Sequence, residues 1–198
     1  MTEGQEEKQP SASAIEFMTF LYEFRDETDR AAVILGAARL DLLLYQLLIK
    51  FLLPNPTATD DLFEYEGPLS SLSAKTNLTL RLGLIDASLA HALHLIRRIR
   101  NSFAHETTGC KLDSGAHKDR VKELILPLEE FDRYGELRKG FSDKIPASSA
   151  DFRTALAVVA VRLDHALKNT NLLAPPESPL SLIPPHWFAK DPYKLPEK

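Results

Sequence analysis

Residues 30–53, RAAVILGAARLDLLLYQLLIKFLL, limit what this chain can fold into more than any other stretch. Apolar side chains at Val33, Ile34, Leu40, Leu42, Leu43, Leu44, Leu47, Leu48, Phe51 and Leu52 surround most of a helix instead of lining one stripe. A helix of that kind belongs in the middle of a bundle or against a second subunit. Asp41, Gln46 and Lys50 interrupt the run, so it falls short of the roughly 20 largely uncharged residues that a bilayer span needs. Thr28 or Asp29 is the expected cap, Pro54 the expected stop, and Gly36-Ala37-Ala38 a small-residue strip where another helix approaches closely.

The rest of the chain reads as further helices around this one. Ile15, Met18, Leu21 and Tyr22 recur at helical spacing and predict a first helix over 14–25. LSSLSAKTNLTLRLGLI predicts a helix ending near Gly83, and Asp86 or Ser88 caps the next, over 87–105. DRVKELILPLEEFDRY predicts another with a kink or stop at Pro127, and residues 135–146 read as irregular. Ser148-x-x-Asp151 resembles a capping box in front of FRTALAVVAVRLDHALKN. No strand pattern or fixed repeat is evident, so the expected class is all-α, a single compact bundle of about six helices. Residues 1–12 read as a disordered arm, 13–171 as the helical domain and 172–198 as an extended tail holding seven of the thirteen prolines. Trp187 and Phe188 in that tail are expected to strap onto the bundle.

Composition excludes several functions. A net charge of −4 gives no whole-molecule attraction to nucleic acid, so any phosphate affinity must come from a local patch. The single cysteine, Cys110, makes no internal disulfide, and no Cys/His spacing matches a zinc site. Together with an acidic, polar start that lacks a signal-peptide core, this points to the cytoplasm, with no membrane partner. Neither a cofactor nor a metal is expected. Glycine-rich phosphate loops, Ser-His-Asp order and paired-carboxylate signatures are not found.

The local patch is HLIRRIRNSFAHET, where an apolar helix collects Arg97, Arg98 and Arg100 before Asn101 and His105. Three blocks occur in order: RAAVILGAARLDLLLYQLL, GPLSSLSAKTNLTLRLGLI and IRRIRNSFAHE. Together they resemble the mannitol operon repressor family of small helical proteins, over residues 29–169. That family is similar in turn to the HEPN superfamily, many of whose members carry Arg, a polar residue, spacers and His. Here the pattern falls on Arg100, Asn101, the spacers Ser102, Phe103 and Ala104, and His105. The superfamily resemblance implies a symmetric dimer that cuts RNA without metal, with Arg100, Asn101 and His105 facing their copies across a cleft. The family resemblance implies gene repression without a DNA-reading helix-turn-helix.

The residue chemistry fits cleavage in part. Histidine's unperturbed pKa of about 6.5 suits proton transfer, and arginine's fixed forked charge suits a phosphorane. Geometry resists, because residues five apart on a helix differ by roughly 140° around the axis. Either the helix loosens near Phe103, or Arg100 bends round, or the motif works across two chains. Arg and His near a helix C-terminus also complement its dipole. Arg100 could thus bond the last carbonyls or Glu64 or Glu66, and Asn101 could cap a turn.

Arg97, Arg98 and Lys75 are the candidate phosphate contacts, with solvated helix faces as the alternative; Arg81 beside Lys75 shares that alternative. His91 and His94 have a spacing that permits metal but no carboxylate at motif spacing. The expected function is a regulatory dimer acting through a protein or nucleic-acid partner. Its rivals are a metal-independent endoribonuclease and a purely structural dimer.

Overall fold

The computed structural model describes residue 19 and residues 22–55, 59–106, 109–130, 134–141 and 145–175. Among them six helices are delimited: α1 Asp29–Phe51, α2 Leu72–Arg81, α3 Ala87–His105, α4 Gly115–Glu129, α5 Tyr134–Arg138 and α6 Ala147–Asn169. Thr19 and residues 22–24 are helical too, and the described residues contain no strand. The rest of the expected first helix, the expected arm over 1–12 and the tail beyond residue 175 lie outside the described residues.

α1 is the central element, as its all-round apolar character requires, and it packs against α6, α3 and α2. Val33, Leu40, Leu44, Leu47 and Leu48 are fully buried. By length and composition α1 could cross a membrane, yet half of its most apolar window is buried against the other helices. The approach of α6 depends on Gly36, where an added Cβ would lie 2.2 Å from Leu156 Cδ2. α3 turns Leu93, Ile96, Ile99 and Phe103 into the core. Burying each such side chain contributes about 1.5–3 kcal/mol. α4 packs against α6 and α3.

Caps follow the sequence closely at three places. Thr28 accepts from the Ala31 amide, and Asp86 accepts from that of Leu89. At the end of α2, Gly83 takes φ +72°, the Leu84 amide donates to Thr79 and the Gly83 amide to Leu80. That is the Schellman closure which a glycine after the last turn permits.

Elsewhere the structure corrects the reading. α6 begins at Ala147 after an extended Pro146, so Ser148 and Asp151 are inside the helix and form no capping box. Ser149 Oγ instead donates to Asp29, and Asp151 accepts from Tyr134 and Arg138. The short α5 takes in residues 135–138, which were expected to be irregular. Its Tyr134 hydroxyl is held protonated, with its pKa raised by burial and then by Asp151. α4 starts at Gly115, ahead of the expected Asp119, a start the sequence hides because the first turn is polar and carries no apolar period, and it continues through Pro127 to Glu129.

One buried arginine joins the front of α1 to α6. Arg153 is 1% exposed. Its guanidinium donates to Asp29, to the Ser149 carbonyl and to the carbonyls of Phe24 and Glu27. Asp29, expected only as a cap candidate, also accepts from Ser149 Oγ and the Leu112 amide.

Candidate functional site

The α3 motif lies beside a cleft of about 410 Å³ between α1, the start of α2 and α3. Asp41 and the small residues Ala37 and Ala38 line the α1 side, Ser70 to Ser73 one lip, and Arg97, Arg100 and Asn101 the other. The serine lip is built by the loop before α2. Gly67 sits against the Asp61 and Leu62 carbonyls, where a Cβ would come within 2.2 Å of Asp61 O. The Leu69 amide then donates to Leu62 O at 2.7 Å. Only glycine permits this close crossing, and it delivers Ser71 to cap α2 through the Ala74 amide. The first turn of α2 carries no acidic residue to neutralise its dipole.

Among the described residues, Arg97 and Arg98 have no side-chain hydrogen bond or ion pair, and the buried Nε of Arg97 is unpartnered. Arg100 donates to Asn101 Oδ1 at 3.3 Å. The carbonyls at the end of α3 are taken by another residue: Arg30 donates to Phe103 O and Glu106 O. Arg100 therefore neither caps α3 nor pairs with Glu64 or Glu66. Asn101 holds the Arg100 guanidinium and caps no turn.

The helix does not loosen at Phe103. α3 continues to His105, Phe103 is fully buried, and the Glu106 amide still bonds to Ser102 O at 2.9 Å. The rotation of roughly 140° expected between positions five apart is thus kept. Arg100 and Asn101 line the cleft, whereas His105 and Arg98 are exposed and do not. One chain brings Arg97, Arg100 and Asn101 together and leaves His105 outside.

Lys75 is a correction. It is 4% exposed, its ammonium lies 2.9 Å from Asp41 Oδ1, and it also donates to the Leu69 and Ser70 carbonyls. Its reach toward an outside phosphate is blocked, and it serves to neutralise Asp41 beneath the cleft. The helical pattern placed Lys75 on a polar face, but the loop over 60–70 folds across it. Arg81 is exposed.

His91 and His94 are tied apart. His91 Nε2 lies 2.9 Å from Glu123 of α4, a carboxylate that sequence spacing does not reveal. His94 Nε2 lies 3.0 Å from Asn77 of α2. Burial first, then Arg97, Arg98 and His91, hold the His94 pKa below its ordinary value. A group that sequence reasoning missed, Glu106, Cys110 and His117, gathers where α3, the following loop and α4 meet. Their spacing follows no familiar ligand pattern, and only the fold joins them.

In chemical terms, the cleft presents cationic and hydroxyl donors while its one acid is neutralised by Lys75. It can hold an anion, and among the described residues a single chain places no free proton-transfer group in it. Comparison with known protein families, with curated proteins and with solved structures finds no match.

Proposed function

We propose that this protein is a cytoplasmic regulatory dimer of the mannitol-repressor type that binds the phosphates of a single-stranded RNA in the α2–α3 cleft and does not itself turn RNA over. The observation that carries this reading is the pairing state of the cleft. Arg97 and Arg100 face it without an acidic partner, and its only carboxylate among the described residues already has Lys75. Forked guanidiniums beside serine hydroxyls and a helix N-terminus with no acidic residue in its first turn favour phosphate. The cleft is small, and among the described residues no helix projects a basic face for a DNA groove, so a flexible strand suits it better than a duplex.

The dimer is supported by an apolar seam. Leu35, Ala38, Leu42, Tyr45 and Ile49 are exposed on α1 and alternate at three and four residues, the spacing by which one helix lies along another. A second reading keeps the nuclease. His105 is exposed and so free to meet Arg100 and Asn101 of another copy, as the HEPN resemblance implies.

A mixed pool of single-stranded RNA, incubated with the full chain in EDTA, tests both. Wild type would be compared with Arg100→Ala and His105→Ala, with folding and dimer content followed by circular dichroism and sedimentation. The expected outcome is binding without cleavage, lost in Arg100→Ala and kept in His105→Ala. Cleavage lost in both folded variants would replace the binding reading with the nuclease. Absence of both binding and cleavage in wild type would overturn both.

A further inference from the structure

Below the end of α3, three side chains of different chemistry converge. Cys110 Sγ lies 3.3 Å from Glu106 Oε2 and 3.5 Å from His117 Nε2, and His117 Nε2 lies 3.9 Å from Glu106 Oε1. We propose that Glu106, Cys110 and His117 form a binding site for a borderline-soft divalent cation of the zinc class, held by thiolate, imidazole and carboxylate, with a fourth position open to solvent.

The spacing is the main argument. Zinc bonds of about 2.3 Å to sulfur and about 2.0–2.2 Å to nitrogen and oxygen, at tetrahedral angles, set the ligand–ligand edges. Those edges are about 3.6 Å for S···N, 3.6 Å for S···O and 3.4 Å for N···O. The S···N edge of 3.5 Å and the S···Oε2 edge of 3.3 Å fall within about half an ångström of these values, the ring nitrogen meets the other carboxylate oxygen, Oε1, at 3.9 Å, and one donor atom from each residue lies within 4.8 Å of the other two, so an ion at the centre requires a turn of the exposed Glu106 carboxylate. Charge agrees as well, since one thiolate and one carboxylate balance a dication.

Each donor is held by a different part of the fold. Glu106 is the cap residue of α3, and its backbone carbonyl is fastened by Arg30. Cys110 follows Gly109, which turns the loop at φ +80°. His117 stands in the first turn of α4, its ring packed against Phe103 with centroids 5.1 Å apart and its Nδ1 buried and unbonded. Packing aims Nε2 at the other two donors.

Burial and Glu106 raise the Cys110 pKa, with Arg30 opposing them. When a cation binds, its bond to Sγ replaces the S–H bond and the proton leaves to solvent. Glu106 is half exposed, so the fourth position faces water. A bound ion would join the end of the motif helix to α4 next to His105. The site stands whether or not the arginine cleft binds RNA.

The test is a titration of the untagged, reduced full chain with Co²⁺. The expected result is one ion per chain, with a thiolate-to-metal charge-transfer band and the intense visible bands of a tetrahedral centre, both removed by Zn²⁺. Cys110→Ser should abolish the charge-transfer band, and Glu106→Gln should weaken binding tenfold or more. Wild type alone supplies a second measurement, in case a variant misfolds: Zn²⁺ should slow alkylation of Cys110 at least tenfold, and EDTA should restore the rate. A Co²⁺ complex without thiolate charge transfer, or alkylation unchanged by saturating Zn²⁺, would overturn the site and leave a hydrogen-bonded triad.

Discussion

Arg153 and the arginines of α3 are the same residue type in opposite surroundings. Arg153 is enclosed, and every arm of its guanidinium finds an oxygen: Asp29, Ser149 O, Phe24 O and Glu27 O. Arg97 and Arg100 border open space, and Asn101 is their only hydrogen-bond partner among the described residues. A buried guanidinium is tolerated only when its donors are satisfied, so Arg153 reads as architecture. A cation left unpaired beside a cleft costs little while water reaches it, and it is available to a ligand. Pairing state, more than exposure, separates the two roles. Lys75 confirms the rule from between them, since it sits next to the cleft but is already bonded to Asp41.

That contrast is broken most directly at Arg153. Arg153→Ala removes four donors at once and leaves Asp29 with only Ser149 and the Leu112 amide. Urea unfolding should show a loss of about 3 kcal/mol or more; a loss below about 1 kcal/mol would remove Arg153 from the architecture.

The complementary variant joins Arg97→Ala with Arg100→Ala. Its unfolding free energy should stay within about 0.5 kcal/mol of wild type, because no ion pair is lost. RNA affinity, read by fluorescence anisotropy, should fall at least tenfold, the order expected for one lost charge-assisted hydrogen bond of about 1.5–3 kcal/mol. A destabilised double variant would show that these arginines hold the fold after all.

The smallest effect is expected at His94. Its pKa is lowered by burial first and by Arg97 and Arg98 next, so the neutral ring is favoured in the folded state. The sign follows from linkage: the unfolded chain takes up this proton at higher pH than the folded one. His94 therefore contributes stability above its ordinary pKa, about 6.5, and loses it as pH falls through the lower folded value. In the Arg97→Ala, Arg98→Ala chain an NMR titration should show the His94 pKa rising yet staying below 6.5, because burial, the larger cause, persists. A rise to 6.5 or above would mean that the unpaired cations, and not burial, set it.

Much of the fold was legible from particular residues. The apolar circumference of residues 30–53 required a central helix, Pro54 limited it, Thr28 and Asp86 capped where short-range rules place caps, and Gly83 closed α2. The failures also have local causes. Ser148 and Asp151 stand at capping-box spacing, but Asp151 is used by Tyr134 and Arg138, and such tertiary demands leave no mark in a four-residue pattern. The polar first turn of α4 hid its start for the same reason.

The candidate site divides similarly. The basic segment holding Arg97, Arg98, Arg100 and Asn101 was visible because helical neighbours are also sequence neighbours, whereas which of them line the cleft was not. The rotation that separates Arg100 from His105, which the unbroken helix preserves, was visible too. Lys75 beneath its loop, Arg30 at the end of α3, Glu123 beside His91, and the meeting of Glu106 with Cys110 and His117 were not visible. By itself the sequence determined helix identity, a central apolar axis and a basic segment on an acidic chain, since these follow from neighbours within a few residues. Only the tertiary structure decided which charges are neutralised and which stay open, because a partner 34 or 73 residues away is chosen by packing, and packing has no local period.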